Sequence, residues 1–173
     1  MKSKMEAPHR NSLQPGYKLH GYTVKRILGQ GGFGITYLAQ DGNLNQDVAI
    51  KEYLPMELAI RDGDQSVQAM SGEHGERFRW GLERFIQEAQ TLARFKHPNI
   101  VRVMSVFEAN GTAYMVMEYE HGDSLQSVLA PRKTLEEAEL LKIVLPILGG
   151  LEKVHAQGFI HRGCAGVFVS GFG

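Results

Sequence analysis

The sequence predicts an α+β fold: a five-stranded antiparallel sheet with one helix between its third and fourth strands, followed by a mainly helical segment. Three observations predict it. Short apolar runs of strand character fill residues 22 to 52 and 101 to 118, and a side-chain period of two belongs to strands. Between them Phe78, Leu82, Phe85, Ala89 and Leu92 step by four and three residues, which lays one apolar stripe along a helix. Beyond them Leu141, Leu145, Leu148 and Leu151 keep a helical stripe of their own.

Residues 1 to 14 are polar and aperiodic and read as a disordered lead-in. Tyr22 to Leu28 and Gly34 to Ala39 form the first two strands, and Asp41-Gly42-Asn43 turns the chain into the third, Asp47 to Glu52. Near residues 56 to 72, two short runs flank Asp62-Gly63-Asp64-Gln65, the pattern of an inserted hairpin with a glycine-bearing turn. A helix follows from Arg77 to Phe95 and ends before His97-Pro98-Asn99, because the residue before proline resists αR geometry. Val101 to Glu108 and Thr112 to Glu118 are a strand pair turned by Asn110-Gly111. A short helix after Asp123 and a long one from Thr134 to Gln157 complete the pattern. Thr134 and Glu137 have capping-box spacing, and Pro146 predicts a kink.

Composition narrows the partners. Hydrophobic residues make up 43% and charged residues 22% of the 173 positions, the proportions of a globular domain with a real core. Nineteen basic and nineteen acidic residues cancel, which argues against nucleic acid or an anionic membrane as the main partner. The lone Cys164 excludes an intramolecular disulfide and suits a reducing compartment. The seven histidines lack metal-ligand spacing. Met1 to Glu6 lead into no apolar stretch, and Leu140 to Leu151 is interrupted by Lys142, Pro146 and two glycines, so neither a secretory signal nor a membrane span is expected. The expectation is a cytoplasmic protein.

Two motifs carry the chemistry. Gly29-Gln30-Gly31-Gly32-Phe33-Gly34-Ile35 reads as GxGxxGxV with Ile35 in the valine's place, and Val48-Ala49-Ile50-Lys51 begins 13 residues later. The glycines lie between two apolar strands, whereas a dinucleotide-binding turn would open directly into a helix. Both motifs, their order, and the stretches IKEYLP, LERFIQEAQTLARFKHPNIVRV and YMVMEYEHGDSL resemble the bacterial serine/threonine protein kinases of the eukaryotic-like family. The resemblance covers residues 18 to 162. It implies a kinase small lobe over residues 15–118, the hinge and first helices of the large lobe over 119–162, and an aberrant tail over 163–173.

It also implies ATP and Mg2+ as ligands, and roles for particular residues. Gly29, Gly31 and Gly34 let the hairpin lie close over phosphates, since no Cβ blocks the approach. Lys51 supplies charge to the α- and β-phosphates. Glu88 is the expected helix partner of Lys51, 37 residues away, an excess accounted for by the inserted hairpin. Its bland reading is a surface pair with Arg84, worth about 0.3–0.5 kcal/mol. Leu28, Ile35 and Ala49 would roof the adenine, or serve simply as sheet core. Met117 would be the gatekeeper, and the main chain of Glu118 and Glu120 the adenine-reading hinge. Asp123 and Ser124 are candidates for a ribose contact or for helix caps.

The catalytic loop departs from the family. His161-Arg162 opens an HRD motif whose third position is Gly163, so no carboxylate can accept the substrate hydroxyl proton. Ala165 and Phe168 occupy the loop lysine and metal-ligand asparagine positions, leaving no intact catalytic residue and no metal ligand. Gly171-Phe172-Gly173 resembles a DFG motif without its aspartate but stands too close to the loop for a match. Residues 163 to 173 hold no charged side chain and four glycines, a shift that favours a truncated or frameshifted reading over gradual decay. The expected function is the ATP-binding portion of a serine/threonine kinase, inactive in this form; a nucleotide-binding pseudokinase or docking module is the alternative. The apolar stripe of the last helix suggests a protein partner.

Overall fold

The computed structural model describes residues 11–124, 127, 129–131, 134–156, 158, 168 and 169, with backbone only at 123, 124, 168 and 169. Among the described residues there are two compact units, one of residues 11–94 and 103–119 and the other of residues 95–102 and those described from 120 onward.

The first unit is an antiparallel sheet with one long helix. Its strands are β1 (Lys18–Leu19), β2 (Tyr22–Gly31), β3 (Gly34–Asp41), β4 (Gln46–Tyr53), β7 (Val103–Ala109) and β8 (Thr112–Glu118). They lie in the order β1-β2-β3-β4-β8-β7, so the sheet has six strands, not five. The extra strand arises because His20, at φ 53°, reverses the chain and pairs Leu19 with Tyr22. Between β3 and β4 the Asp41 carboxylate accepts hydrogen bonds from the backbone N–H of Asn43 and Leu44, closing a turn its sequence encodes. Asn110 and Gly111, at φ 52° and 72°, form the tight turn between β7 and β8.

Residues 58–70 carry a small separate hairpin, β5 (Ala59–Arg61) paired with β6 (Val67–Ala69). Helix α1 (Glu73–Leu92) follows at once. It starts four residues before Arg77 because Gly72, at φ 67°, turns the chain and Glu73 and Glu76 complement the helix dipole. Phe78, Phe85 and Ala89 are its buried stripe.

The sheet curls. His20 and Tyr22 at one edge stack on Phe107 near the other, with ring centroids 4.4 and 6.1 Å apart. Its concave interior holds Val24, Tyr37, Ile50, Tyr114 and Val116, all buried. A charged residue also lies there: Glu52 is wholly buried and ion-paired with Arg61 of the inserted hairpin. Glu52 also accepts hydrogen bonds from Tyr37 at 2.8 Å and Tyr114 at 2.6 Å. Arg61 donates further to the carbonyls of Asn11 and Gln65. Residues 11–14 are therefore packed rather than disordered: Leu13 is 1% exposed and donates its N–H to the Tyr37 hydroxyl. Residues 1–10 of the expected lead-in lie outside the described residues.

In the second unit, α2 (Glu137–His155) buries Ile143, Gly150 and Val154. It begins at Glu137 with Glu136 as a cap that makes no side-chain hydrogen bond, so the Thr134–Glu137 capping box does not form. Asp123–Ser124, labelled β9, pairs antiparallel with Phe168–Val169, labelled β10. The short helix expected after Asp123 falls largely outside the described residues, as do Gly163, Ala165 and the Gly171–Gly173 motif.

Candidate functional site

Strand alternation sorts the expected residues onto two faces. Directly paired residues share a face, and each step along a strand reverses it. The rows Thr36–Lys51–Met115 and Leu38–Ala49–Met117 therefore lie on one face, and Ile35–Glu52–Tyr114 on the other. Tyr53 identifies the first face. Its ring lies 5.2 Å from that of Phe78 and 5.7 Å from that of Phe85, both on α1. Lys51, two residues earlier on β4, points to the same side. Lys51, Ala49, Met117 and helix α1 thus occupy one side of the sheet.

Glu88 is half-buried on α1, one turn beyond Phe85 and so near the face that packs on Tyr53. Lys51 and Glu88 share a side of the sheet without an ion pair between them, whereas Lys25 pairs with Asp47 and Arg61 with Glu52.

Ile35 does not join this group. It is buried beside Tyr37 and Glu52 inside the curled sheet, on the face opposite Lys51 and Ala49. The physical reason is the period of two, and the numbering of the motif agrees: counted from Gly29, the eighth position of GxGxxGxV is Thr36, not Ile35. Thr36 is the residue on the Lys51 face, and the count alone picks it out. Leu28 is the extra residue of a bulge between Ile27 and Gly29, half-buried, where a bulge re-aims a side chain.

The glycines divide by role. A Cβ added to Gly29 or Gly31 would meet nothing within 4 Å, so both leave open space beside the β2–β3 turn. Gly34 is different. Its φ is 156°, and a Cβ there would collide with the Glu52 carbonyl oxygen, so β4 itself demands glycine. Phe33, at the tip between them, is 78% exposed.

Glu118 ends β8 exposed, and the chain passes from the first unit to the second between Tyr119 and the exposed Glu120. The Asp123 and Ser124 backbone is in strand pairing with β10. Among the described residues no three His, Cys, Asp or Glu side chains converge to hold a metal.

Residues 22–163 match the protein kinase domain. The chain belongs to the protein kinase family. It is 33% identical over 150 residues to the probable serine/threonine-protein kinase pknA2 of Bifidobacterium longum, covering 86% of this chain and 18% of that protein. Among solved structures, the apo form of PpkA-294 is similar at 38% identity with a TM-score of 0.81, over 88% of this chain and 54% of that one. The kinase domain of Mycobacterium tuberculosis PknI is similar at 30% identity with a TM-score of 0.66, over 87% and 54%. This kinase chain therefore spans about a fifth of the curated relative and about half of the solved kinase chains. The curled sheet with α1 is the small lobe of a kinase domain, and the residues after it begin the large lobe.

Proposed function

We propose that this chain is the ATP-binding part of a serine/threonine protein kinase. The observation that carries this reading is that Lys51 and Ala49 share one face of the sheet with Met117 and with the helix bearing Glu88. ATP would lie under the β2–β3 turn, its phosphates against the open space at Gly29 and Gly31 and its α- and β-phosphate charge met by Lys51. Leu28, Ala49 and Met117 would contact the adenine, and the main chain at Glu118 would read its edge. Thr36 takes the roof position in place of Ile35. Glu88 would hold the Lys51 ammonium once the two approach within ion-pair distance.

Magnesium is expected with ATP throughout the family, and it neutralises the developing phosphate charge. The described residues supply no cluster for it, and Gly163 and Phe168 stand where the family has an aspartate and an asparagine. Without a base at position 163, proton acceptance from a substrate hydroxyl loses a factor of about 10²–10⁴. We therefore read this polypeptide as binding nucleotide without transferring phosphate. Loss of one buried aliphatic contact to the base, roughly 1.5–3 kcal/mol, weakens binding about ten- to over a hundredfold.

The test is thermal stabilisation by ATP, with and without magnesium, in the wild type and in Lys51→Ala. Stabilisation lost in the variant supports the reading, and none in the wild type refutes it. A second reading, a silent lobe that docks on a protein partner, is favoured by Leu141, Leu145 and Leu148, which are exposed at helical spacing on α2.

A further inference from the structure

Tyr53 does more than cover the helix. A methyl group placed on Gly81 would collide with the Tyr53 hydroxyl oxygen and lie 3.0 Å from ring carbon Cζ. Only glycine leaves room for the phenol there. The same hydroxyl donates to the Phe78 carbonyl at 3.3 Å, and the ring packs against the rings of Phe78 and Phe85. One phenol is thus gripped at Phe78, Gly81 and Phe85, three successive contacts along one face of α1.

This socket constrains how the helix can be seated. Turning α1 by one residue would present Trp80 or Leu82 to the phenol, and neither side chain leaves space for it. Glu88 follows Gly81 by seven residues, almost two full turns, and so returns to nearly the same azimuth. Lys51 precedes Tyr53 by two and shares its face of β4.

The geometry points to Tyr53 and Gly81 as positioning residues: they seat α1 in the register that turns Glu88 to the strand face bearing Lys51. Its consequence for ATP rests on the nucleotide-binding reading above; the seating itself does not.

The test uses the full chain as Gly81→Ala and as Gly81→Ala/Tyr53→Phe. Two quantities are read, hydrogen exchange of the α1 amides from residue 82 to 92 and the ATP dissociation constant. Alanine is the better helix former, so propensity alone predicts slower exchange in the single variant. The socket predicts the opposite sign, exchange faster by about tenfold, and recovery toward wild type once the hydroxyl is removed. ATP binding should weaken about tenfold in the single variant and return to within about threefold in the double.

Exchange that is unchanged or slower in Gly81→Ala overturns the proposal, and so does a double variant no better than the single. If the single variant fails to fold while the double folds, the socket is supported; failure of both overturns it. A wild type that does not bind ATP sinks the nucleotide reading, and exchange then judges the seating by itself. Equal ATP binding by wild type and Gly81→Ala despite faster exchange overturns the link to Lys51.

Discussion

Glu52 stands next to Lys51 in sequence and on the other side of the sheet in space. Burial of a carboxylate is tolerated here because Arg61, Tyr37 and Tyr114 all bond to it. Arg61→Met would strand that charge in the core and lower stability by about 3–5 kcal/mol, read from urea unfolding. Adding Glu52→Gln should recover part of the loss, since the uncompensated charge disappears. The surrounding phenols give a pH signature. Burial lifts Tyr37 and Tyr114 above their ordinary 10.0, and the Glu52 carboxylate pushes the same way. The folded protein then holds these protons more tightly than the unfolded chain. Their contribution is complete below pH 10 and is lost as pH rises above 10 toward the still higher folded values. The slope is about 1.4 kcal/mol per pH unit for each phenol. Melting temperature between pH 9.5 and 11 should therefore fall more steeply in the wild type than in Tyr37→Phe/Tyr114→Phe. Burial by itself would lower Arg61, but the Glu52 charge and hydrogen bond, together with the neighbouring Tyr114 and Tyr37, hold it above its usual range. Nothing in the linear order ties Arg61 to Glu52 or Leu13 to Tyr37; these are non-local pairings. Lys51 and the glycines, by contrast, stand in a contiguous pattern.

The inserted hairpin is an element with several attachments. Arg61 reaches the sheet interior, and the Val67 N–H donates to the Asn110 carbonyl in the β7–β8 turn. Gly111 must remain glycine there: its φ is 72°, and a Cβ would come within 2.6 Å of the Val67 carbonyl oxygen. The turn signal around Asp62-Gly63 makes the hairpin legible in the sequence, but its attachment to the rest of the lobe is not. Helix α1 was legible from its apolar stripe, while its start at Glu73 depended on the φ of Gly72. In α2, Leu141, Leu145 and Leu148 are 45%, 59% and 52% exposed, a stripe without cover among the described residues. Leu145→Glu should reduce concentration-dependent light scattering. It should change unfolding stability by less than about 0.5 kcal/mol, as expected for a surface substitution.

At the scale of the molecule, the proposed reading joins a nucleotide-binding small lobe to a loop that lacks an aspartate at Gly163. Restoring one group should not restore transfer. Gly163→Asp should still give no labelled phosphate on a generic protein substrate, because Ala165 and Phe168 leave the loop charge and the metal ligand unsupplied. Incorporation above a Lys51→Ala control would overturn this. No helix among the described residues is long and apolar enough to cross a membrane. The family and most of the strands could be read from the linear chain, because motif spacing and side-chain period are local properties. Ile35 and Thr36 are one step apart along a strand, and that step moves a side chain to the other face, so the motif count decides which of them joins Lys51. The sixth strand, the buried Glu52–Arg61 pair, the packed Leu13 and the Tyr53–Gly81 socket all emerged in three dimensions. Each joins segments distant in the chain or depends on a backbone angle, and no local pattern of residue types records which distant partner a buried group will meet.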